Sequence, residues 1–97
     1  MMMVLVTYDI ATADKAGQRR LQRVAKICLN FGQRVQNSVF ECSISTEQFT
    51  RLKHQLVAII EQDTDSLRFY FLGSNWQQKV EHIGAKPVAD IDDPLIF

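Results

Sequence analysis

The end of the first apolar segment is where the sequence first suggests chemistry. Met2–Tyr8 is short, apolar and rich in β-branched residues, which predicts a buried strand. Asp9 follows it directly, and a carboxylate in that place is either a turn or capping residue or a ligand for a hard cation. Mg²⁺ takes oxygen ligands and often uses only one or two carboxylates beside water and phosphate. A single Asp9 is a poor site, whereas a two-fold dimer would supply two. The alternation of the strand favours a core position for Tyr8 over one that points at a substrate.

Basic side chains form the second candidate group. The whole chain has a net charge of zero, but residues 1–40 carry six basic and two acidic side chains, and residues 41–97 carry five basic and nine acidic ones. A local basic surface attracts phosphate even on a neutral protein. The candidates for charge-assisted phosphate contacts are Arg19, Arg20, Arg23 and Arg34. The alternative is an ordinary solvated helix face.

Other reactive residue types are sparse. Cys28 and Cys42 lack metal-ligand spacing, which favours reduced core thiols and a cytoplasmic protein. The four glycines are scattered and form no phosphate-binding loop, and His54 and His82 are interpreted as surface residues. No apolar run approaches the roughly 20 residues of a membrane span, and the apolar start lacks a signal peptide's basic region. We therefore expect no membrane association.

Two amphipathic helices are predicted. The first runs from about Lys15 to Phe31, capped by Thr12 or Asp14, with Gly32 placed as a left-handed C-cap. Its apolar stripe consists of Leu21, Val24, Ala25, Cys28 and Leu29, and a second stripe of Arg19, Arg23 and Lys26 faces away from it. The second helix runs from about Thr46 to Gln62 after a capping box at Ser45 and Gln48.

The remaining segments predict strands. A tight hairpin spans Gln33–Ser45 with its turn at Asn37-Ser38, and Leu67–Leu72 forms a strand that contains three aromatic residues. Gln77–Ile83 is a candidate for a further short strand, and Lys86–Phe97 ends on apolar residues that suggest docking.

The resulting order is β-α-β-β-α-β with a C-terminal extension, which predicts an α+β, ferredoxin-like fold with an antiparallel sheet. We expect one domain, with the ferredoxin-like part at 1–76 and a C-terminal strand and docking segment at 77–97. Two helices would cover one face of the sheet. An apolar opposite face in so small a domain is explained most simply by a homodimer.

Three segments carry a resemblance to a known family. They occur in the order V-T-Y-D-I at 6–10, R-R-L-Q-R-V-A-K at 19–26 and G-Q-R-V-Q-N-S-V-F-E-C at 32–42. Together they resemble the small CRISPR-associated adaptation proteins, the Cas-two family, whose members accompany the integrase during spacer acquisition. The likeness covers most of residues 3–73.

The resemblance implies a ferredoxin-like homodimer with Asp9 as the metal-site aspartate at the dimer interface. It implies metal-dependent endonuclease activity, with Mg²⁺ or Mn²⁺, on RNA or double-stranded DNA, and Asp9 and Tyr8 as the catalytic residues. It also implies a partnership with the CRISPR integrase that captures foreign DNA. Residues that match positions used around the site or in nucleic-acid contact are Tyr8, Arg19, Arg20, Arg34, Ser38 and Phe40.

Two other functions stay open at this point. The dimer can be a non-catalytic scaffold that bridges integrase dimers and lies along duplex DNA, in which case the basic face matters and Asp9 does not. A toxin-type ribonuclease of similar size and fold is a third hypothesis. The sequence does not choose between RNA and DNA, between one metal ion and two, or between Arg19 and Arg20.

Overall fold

The computed structural model describes residues 1–73, 75, 81 and 83. The elements follow the predicted β-α-β-β-α-β order: β1 (Met2–Asp9), α1 (Lys15–Leu29), β2 (Gln33–Gln36), β3 (Val39–Ile44), α2 (Thr46–Val57) and β4 (Ser66–Gly73). The strand expected at Gln77–Ile83, apart from Glu81 and Ile83, and the docking segment at Lys86–Phe97 lie outside the described residues, as does His82.

A four-stranded sheet holds β1 at its centre. The strand order is β2-β3-β1-β4, and all neighbours are antiparallel, which confirms the ferredoxin-like prediction. The ladder between β1 and β4 continues to the very end of β1, where Asp9 pairs with Ser66. The end of β1 is therefore supported by backbone pairing rather than left in a loose connection.

The core lies between one face of this sheet and the two helices. Val4, Val6 and Tyr8 alternate along β1 into this core, as the period-2 pattern predicted. They pack with a buried set contributed by β3 and both helices: Val24, Cys28, Phe40, Cys42, Ile44, Leu52 and Leu56. Both cysteines are free and buried, and burial raises the pKa of each thiol to about 12, so the core keeps them neutral.

Both helices begin at their predicted caps but end earlier than predicted. The Asp14 side chain accepts a hydrogen bond from the Gly17 amide at 2.8 Å, and Ser45 with Gln48 forms the expected capping box. Helix α1 ends at Leu29 rather than Phe31, and α2 ends at Val57 rather than Gln62. In each case i→i−3 hydrogen bonds tighten the chain just beyond the last helical residue.

Gly32 does not have the left-handed conformation that the sequence predicted. Within residues 1–73, the glycine with positive φ is Gly73. Gly32 is instead required by space, because a Cβ there would lie 2.2 Å from the Glu41 carbonyl oxygen and 2.6 Å from Cys42 Sγ. Its lack of a side chain lets the end of α1 pass close to β3.

The other face of the sheet mixes apolar and polar side chains. The register places Leu5, Glu41 and Tyr70 side by side on it, with Glu41 buried and Tyr70 exposed. Burial raises the pKa of the Glu41 carboxyl. The homodimer expected to use this face stays a prediction. Neither described helix has the length and apolarity that a bilayer crossing requires.

Candidate metal and nucleic-acid site

Asp9 is the last residue of β1, and its side chain is exposed. An exposed carboxylate at a fixed strand end can face a hydrated cation, which is the chemistry that Mg²⁺ and Mn²⁺ require. Across residues 1–73, no group of three or more His, Cys, Asp and Glu side chains lies together to hold a metal ion. A single Asp9 supplies one carboxylate, which is too few protein ligands for a divalent cation by itself, and a site completed by the Asp9 of a second copy stays a prediction.

Tyr8 ties β1 to the turn of the β2–β3 hairpin. Its ring is buried and stacks on Phe40, with centroids 6.1 Å apart, as the alternation of β1 predicted. The hydroxyl donates to the Asn37 carbonyl at 3.3 Å, and the Tyr8 amide donates to the Ser38 carbonyl at 3.1 Å. Burial raises the pKa of the Tyr8 phenol, although hydrogen bonding to Arg34 opposes this. The phenol therefore stays protonated at neutral pH, and its catalytic role stays a prediction.

Four predicted site residues contact one another and form what we call the hairpin cluster: Tyr8, Arg34, Ser38 and Phe40. The Arg34 guanidinium carbon lies 5.1 Å from the centroid of the Phe40 ring, a cation–π geometry. Phe40 is fully buried, so its ring supports the arginine from below, whereas Arg34 itself is exposed. Arg34 is thus the exposed cation of the cluster, and its contact with a phosphate stays a prediction.

The basic residues of α1 divide into two groups. The helix carries five basic side chains and no acidic one, and Arg19, Arg23 and Lys26 are exposed. Arg20 instead points inward, and its Nε donates to Asp65 Oδ2 at 2.9 Å. The structure thereby distinguishes the exposed Arg19 from Arg20, which is paired with Asp65, a difference that the sequence left undecided. Nucleic-acid contact stays a prediction for each.

Asp65 is a buried carboxylate close to the end of β1 that sequence reasoning missed. Its carboxylate is completely buried, and besides Arg20 it accepts hydrogen bonds from the amides of Ala11 at 2.9 Å and Glu61 at 2.8 Å. Burial disfavours the charged carboxylate, but the Arg20 and backbone hydrogen bonds outweigh it and lower the pKa of Asp65 from 3.8 to about 2. The sequence D-T-D-S at 63–66 predicted only a polar turn, and no local pattern distinguishes Asp65 from the exposed Asp63.

Comparisons with known proteins agree with this fold. The family model described as "CRISPR associated protein Cas2" matches residues 2–80. A protein of Halalkalibacterium halodurans named "CRISPR-associated endonuclease Cas2" is 57% identical over 99% of this chain and 100% of its own length. A protein of Nitratidesulfovibrio vulgaris named "CRISPR-associated endoribonuclease Cas2" is 54% identical over 99% of this chain and 94% of its own length. The crystal structure of Streptococcus pyogenes Cas2 at pH 6.5 is 59% identical, with a TM-score of 0.76, over 86% of this chain and 100% of that one.

Proposed function

Because this chain belongs to the family of CRISPR-associated Cas2 proteins, we propose that it is a metal-dependent endonuclease of CRISPR adaptation. It acts as a two-fold homodimer on the phosphodiester backbone of RNA or double-stranded DNA. The observation that carries this proposal is the exposed carboxylate of Asp9, which ends the central strand beside the hairpin cluster. Relatives named as an endonuclease and as an endoribonuclease support hydrolysis and leave both nucleic acids as substrates.

The residues of the site divide the work of such a reaction. Asp9 of each copy would hold Mg²⁺ or Mn²⁺, and the bound cation supplies an activated water and charge stabilisation at the phosphate. Arg34 contacts a backbone phosphate, and its stacking on Phe40 limits the directions in which its guanidinium can point. Tyr8 anchors the hairpin turn to β1 through its hydroxyl and amide, which fixes the hairpin that carries Arg34 relative to the strand that ends at Asp9.

Cleavage assays with matched variants test this proposal. The purified dimer is incubated with labelled duplex DNA and with single-stranded RNA, in Mg²⁺, in Mn²⁺ and in excess EDTA. We expect cleavage only with a divalent cation, and a fall of roughly a hundredfold or more for Asp9→Asn. Asp63→Asn is the control, because Asp63 is also an exposed aspartate and lies on the turn between α2 and β4 rather than at the end of β1. Cleavage by Asp9→Asn at the wild-type rate, from a preparation that elutes as a dimer, would refute the metal-ligand role of Asp9.

A scaffold function is the second candidate, and the exposed basic side chains of α1 favour it. Arg19, Arg23 and Lys26 follow one another at helical spacing with no acidic residue on the helix. Each phosphate contact contributes about −0.9 to the slope of log K against log salt for duplex DNA. Changing all three residues to Gln should therefore flatten the slope by about 2.7 if each contacts a phosphate. Spacer acquisition in cells by Asp9→Asn separates the functions, because normal acquisition favours the scaffold and lost acquisition favours the enzyme.

The proposed partner is the CRISPR integrase, in the cytoplasm. The two free, buried thiols suit a reducing compartment. Co-elution of the chain with the integrase on gel filtration tests the partnership. Both proteins are first treated with nuclease, so that DNA carried along from the cells cannot link them. The Arg19, Arg23 and Lys26 triple variant then tests whether the partnership depends on the basic face.

A further inference from the structure

Asp65 gathers three separate segments of the chain around one carboxylate. Its Oδ1 accepts from the Ala11 amide at 2.9 Å, from Thr64 Oγ1 at 3.3 Å and from Arg20 Nη2 at 3.5 Å. Its Oδ2 accepts from Arg20 Nε at 2.9 Å and from the Glu61 amide at 2.8 Å. Both oxygens are occupied by protein donors and the side chain is fully buried, so Asp65 cannot itself bind a metal or a phosphate.

These contacts lie on both sides of Asp9. Ala11, two residues after Asp9, donates to Asp65, and Ser66, the residue after Asp65, pairs with Asp9 across the β1–β4 ladder. The Ala11 carbonyl is also confined, because a Cβ on Gly17 would lie 1.8 Å from its oxygen. Ala11 thus donates its amide to Asp65, and its carbonyl lies close against the first turn of α1.

Arg20 completes this arrangement from the helix. Its side chain is only 20% exposed and is directed at Asp65, whereas its neighbour Arg19 is exposed. A buried charged hydrogen-bonded pair is well placed to hold two segments in one arrangement, because separating the partners leaves a carboxylate without compensation. The two adjacent arginines therefore have different tasks.

The geometry points to Asp65 and Arg20 as a positioning pair that fixes the β1–α1 loop and so the direction of the Asp9 carboxylate. The metal-related part of this inference rests on the proposed function. Removing groups that hold metal ligands in position, without binding the metal themselves, commonly changes metal affinity by about 10- to 100-fold. The pair acts on the loop through Ala11 and makes no contact with nucleic acid.

Nuclear magnetic resonance of the ¹⁵N- and ¹³C-labelled full chain tests the inference without relying on nuclease activity. The variants are Asp65→Asn and Arg20→Gln, with Arg19→Gln as the exposed neighbouring control. We expect hydrogen exchange of the Ala11 amide to accelerate by about tenfold or more in both variants and to stay at the wild-type rate in the control. Three-bond couplings should report one Asp9 side-chain rotamer in the wild type and averaged rotamers in the two variants.

Metal and nucleic-acid titrations complete the test. Mn²⁺ should broaden the Asp9 resonances at a concentration about 10- to 100-fold higher in the two variants than in the wild type. Duplex binding should weaken for Arg19→Gln and not for Arg20→Gln. Arg20→Gln is the decisive variant if Asp65→Asn does not fold, because it keeps the Asp65 carboxylate and its backbone donors and removes only the charged partner that holds this carboxylate.

The possible failures are distinguishable. The positioning pair would be overturned if a folded Arg20→Gln chain showed unchanged Ala11 exchange and unchanged Asp9 couplings. It would also be overturned if Arg20→Gln lost as much duplex binding as Arg19→Gln without any change in Ala11 exchange. An absence of Mn²⁺ broadening in the wild type would refute the proposed metal site instead. In that case the Asp9 couplings alone decide whether the pair orients this carboxylate.

Discussion

Replacing Asp65 with Asn gives the sharpest test of the structure, because the two side chains have nearly the same shape. Donors of the protein approach both carboxylate oxygens: Ala11 on one side, Glu61 on the other and Arg20 on both. Whichever way the asparagine amide turns, its NH₂ group must face some of these donors. The substitution therefore removes the charge and also breaks hydrogen bonds that no rotation restores.

The pKa of Asp65 sets the electrostatic part of the loss. It falls from 3.8 to about 2 on folding, and each unit of pKa difference corresponds to about 1.4 kcal/mol, so the charged carboxylate contributes about 2 kcal/mol. Removing one partner of a buried ion pair costs about 3–5 kcal/mol, but Arg20 is 20% exposed and water relieves part of that penalty. We expect Asp65→Asn to lower the free energy of unfolding by about 2–3 kcal/mol near pH 7.

The sign of the pH dependence follows from the lowered pKa. The charged Asp65 carboxylate stabilises the fold in full at pH values above 3.8, its pKa in the unfolded chain. This stabilisation is lost as the pH falls through about 2, its pKa in the folded chain. In urea unfolding at fixed protein concentration, the difference in the free energy of unfolding between the wild type and Asp65→Asn should therefore shrink by about 1 kcal/mol from about pH 7 to about pH 3. Asp63→Asn is the control and should remain within about 0.5 kcal/mol of the wild type. Equal stabilities of Asp65→Asn and the wild type near pH 7, or a gap independent of pH, would refute this account.

Four further results are expected. Gly17→Ala should destabilise the fold by about 3 kcal/mol or more in urea unfolding, because the added Cβ would lie 1.8 Å from the Ala11 oxygen, and a loss below about 1 kcal/mol would contradict that close approach. Ser45→Ala should cost about 1 kcal/mol in the same assay, since the capping box of α2 is lost, and a neutral effect would mean that this cap is dispensable. Thiol labelling of Cys28 and Cys42 near pH 8 should be about a thousandfold slower in the folded chain than in urea, because burial raises both pKa values to about 12, and fast labelling of either would show that its burial is incomplete. Because the folded thiols resist ionisation, stability should also fall as pH rises above about 9.

The elements of this fold were predictable because their patterns are local. Alternation in β1, the capping box before α2 and the hairpin turn at Asn37-Ser38 each depend on residues a few positions apart. The helix ends were predicted too far along the chain. Apolar residues continue beyond Leu29 and Val57, and only the tightened backbone of the structure shows where the α-helical hydrogen bonds stop.

The candidate site was predictable only in part. Asp9, Tyr8, Arg34 and Phe40 followed from their sequence setting and from the family resemblance, and the structure brings Tyr8, Arg34 and Phe40 into contact. Gly32 was interpreted through its backbone freedom, whereas the structure shows that the space beside Glu41 decides its identity. A space restriction between distant segments leaves no pattern along the chain.

The sequence by itself determined the order of the strands and helices, the alternation that buries Tyr8, and Asp9 as the carboxylate that ends the central strand. Only the tertiary structure decided that Arg20 points inward while Arg19 faces solvent, and that Asp65 rather than Asp63 holds the loop beyond Asp9. The physical reason is separation along the chain. Asp65 lies 54 residues from Ala11 and 45 from Arg20, so these hydrogen bonds exist only after the sheet and both helices have brought the three segments together.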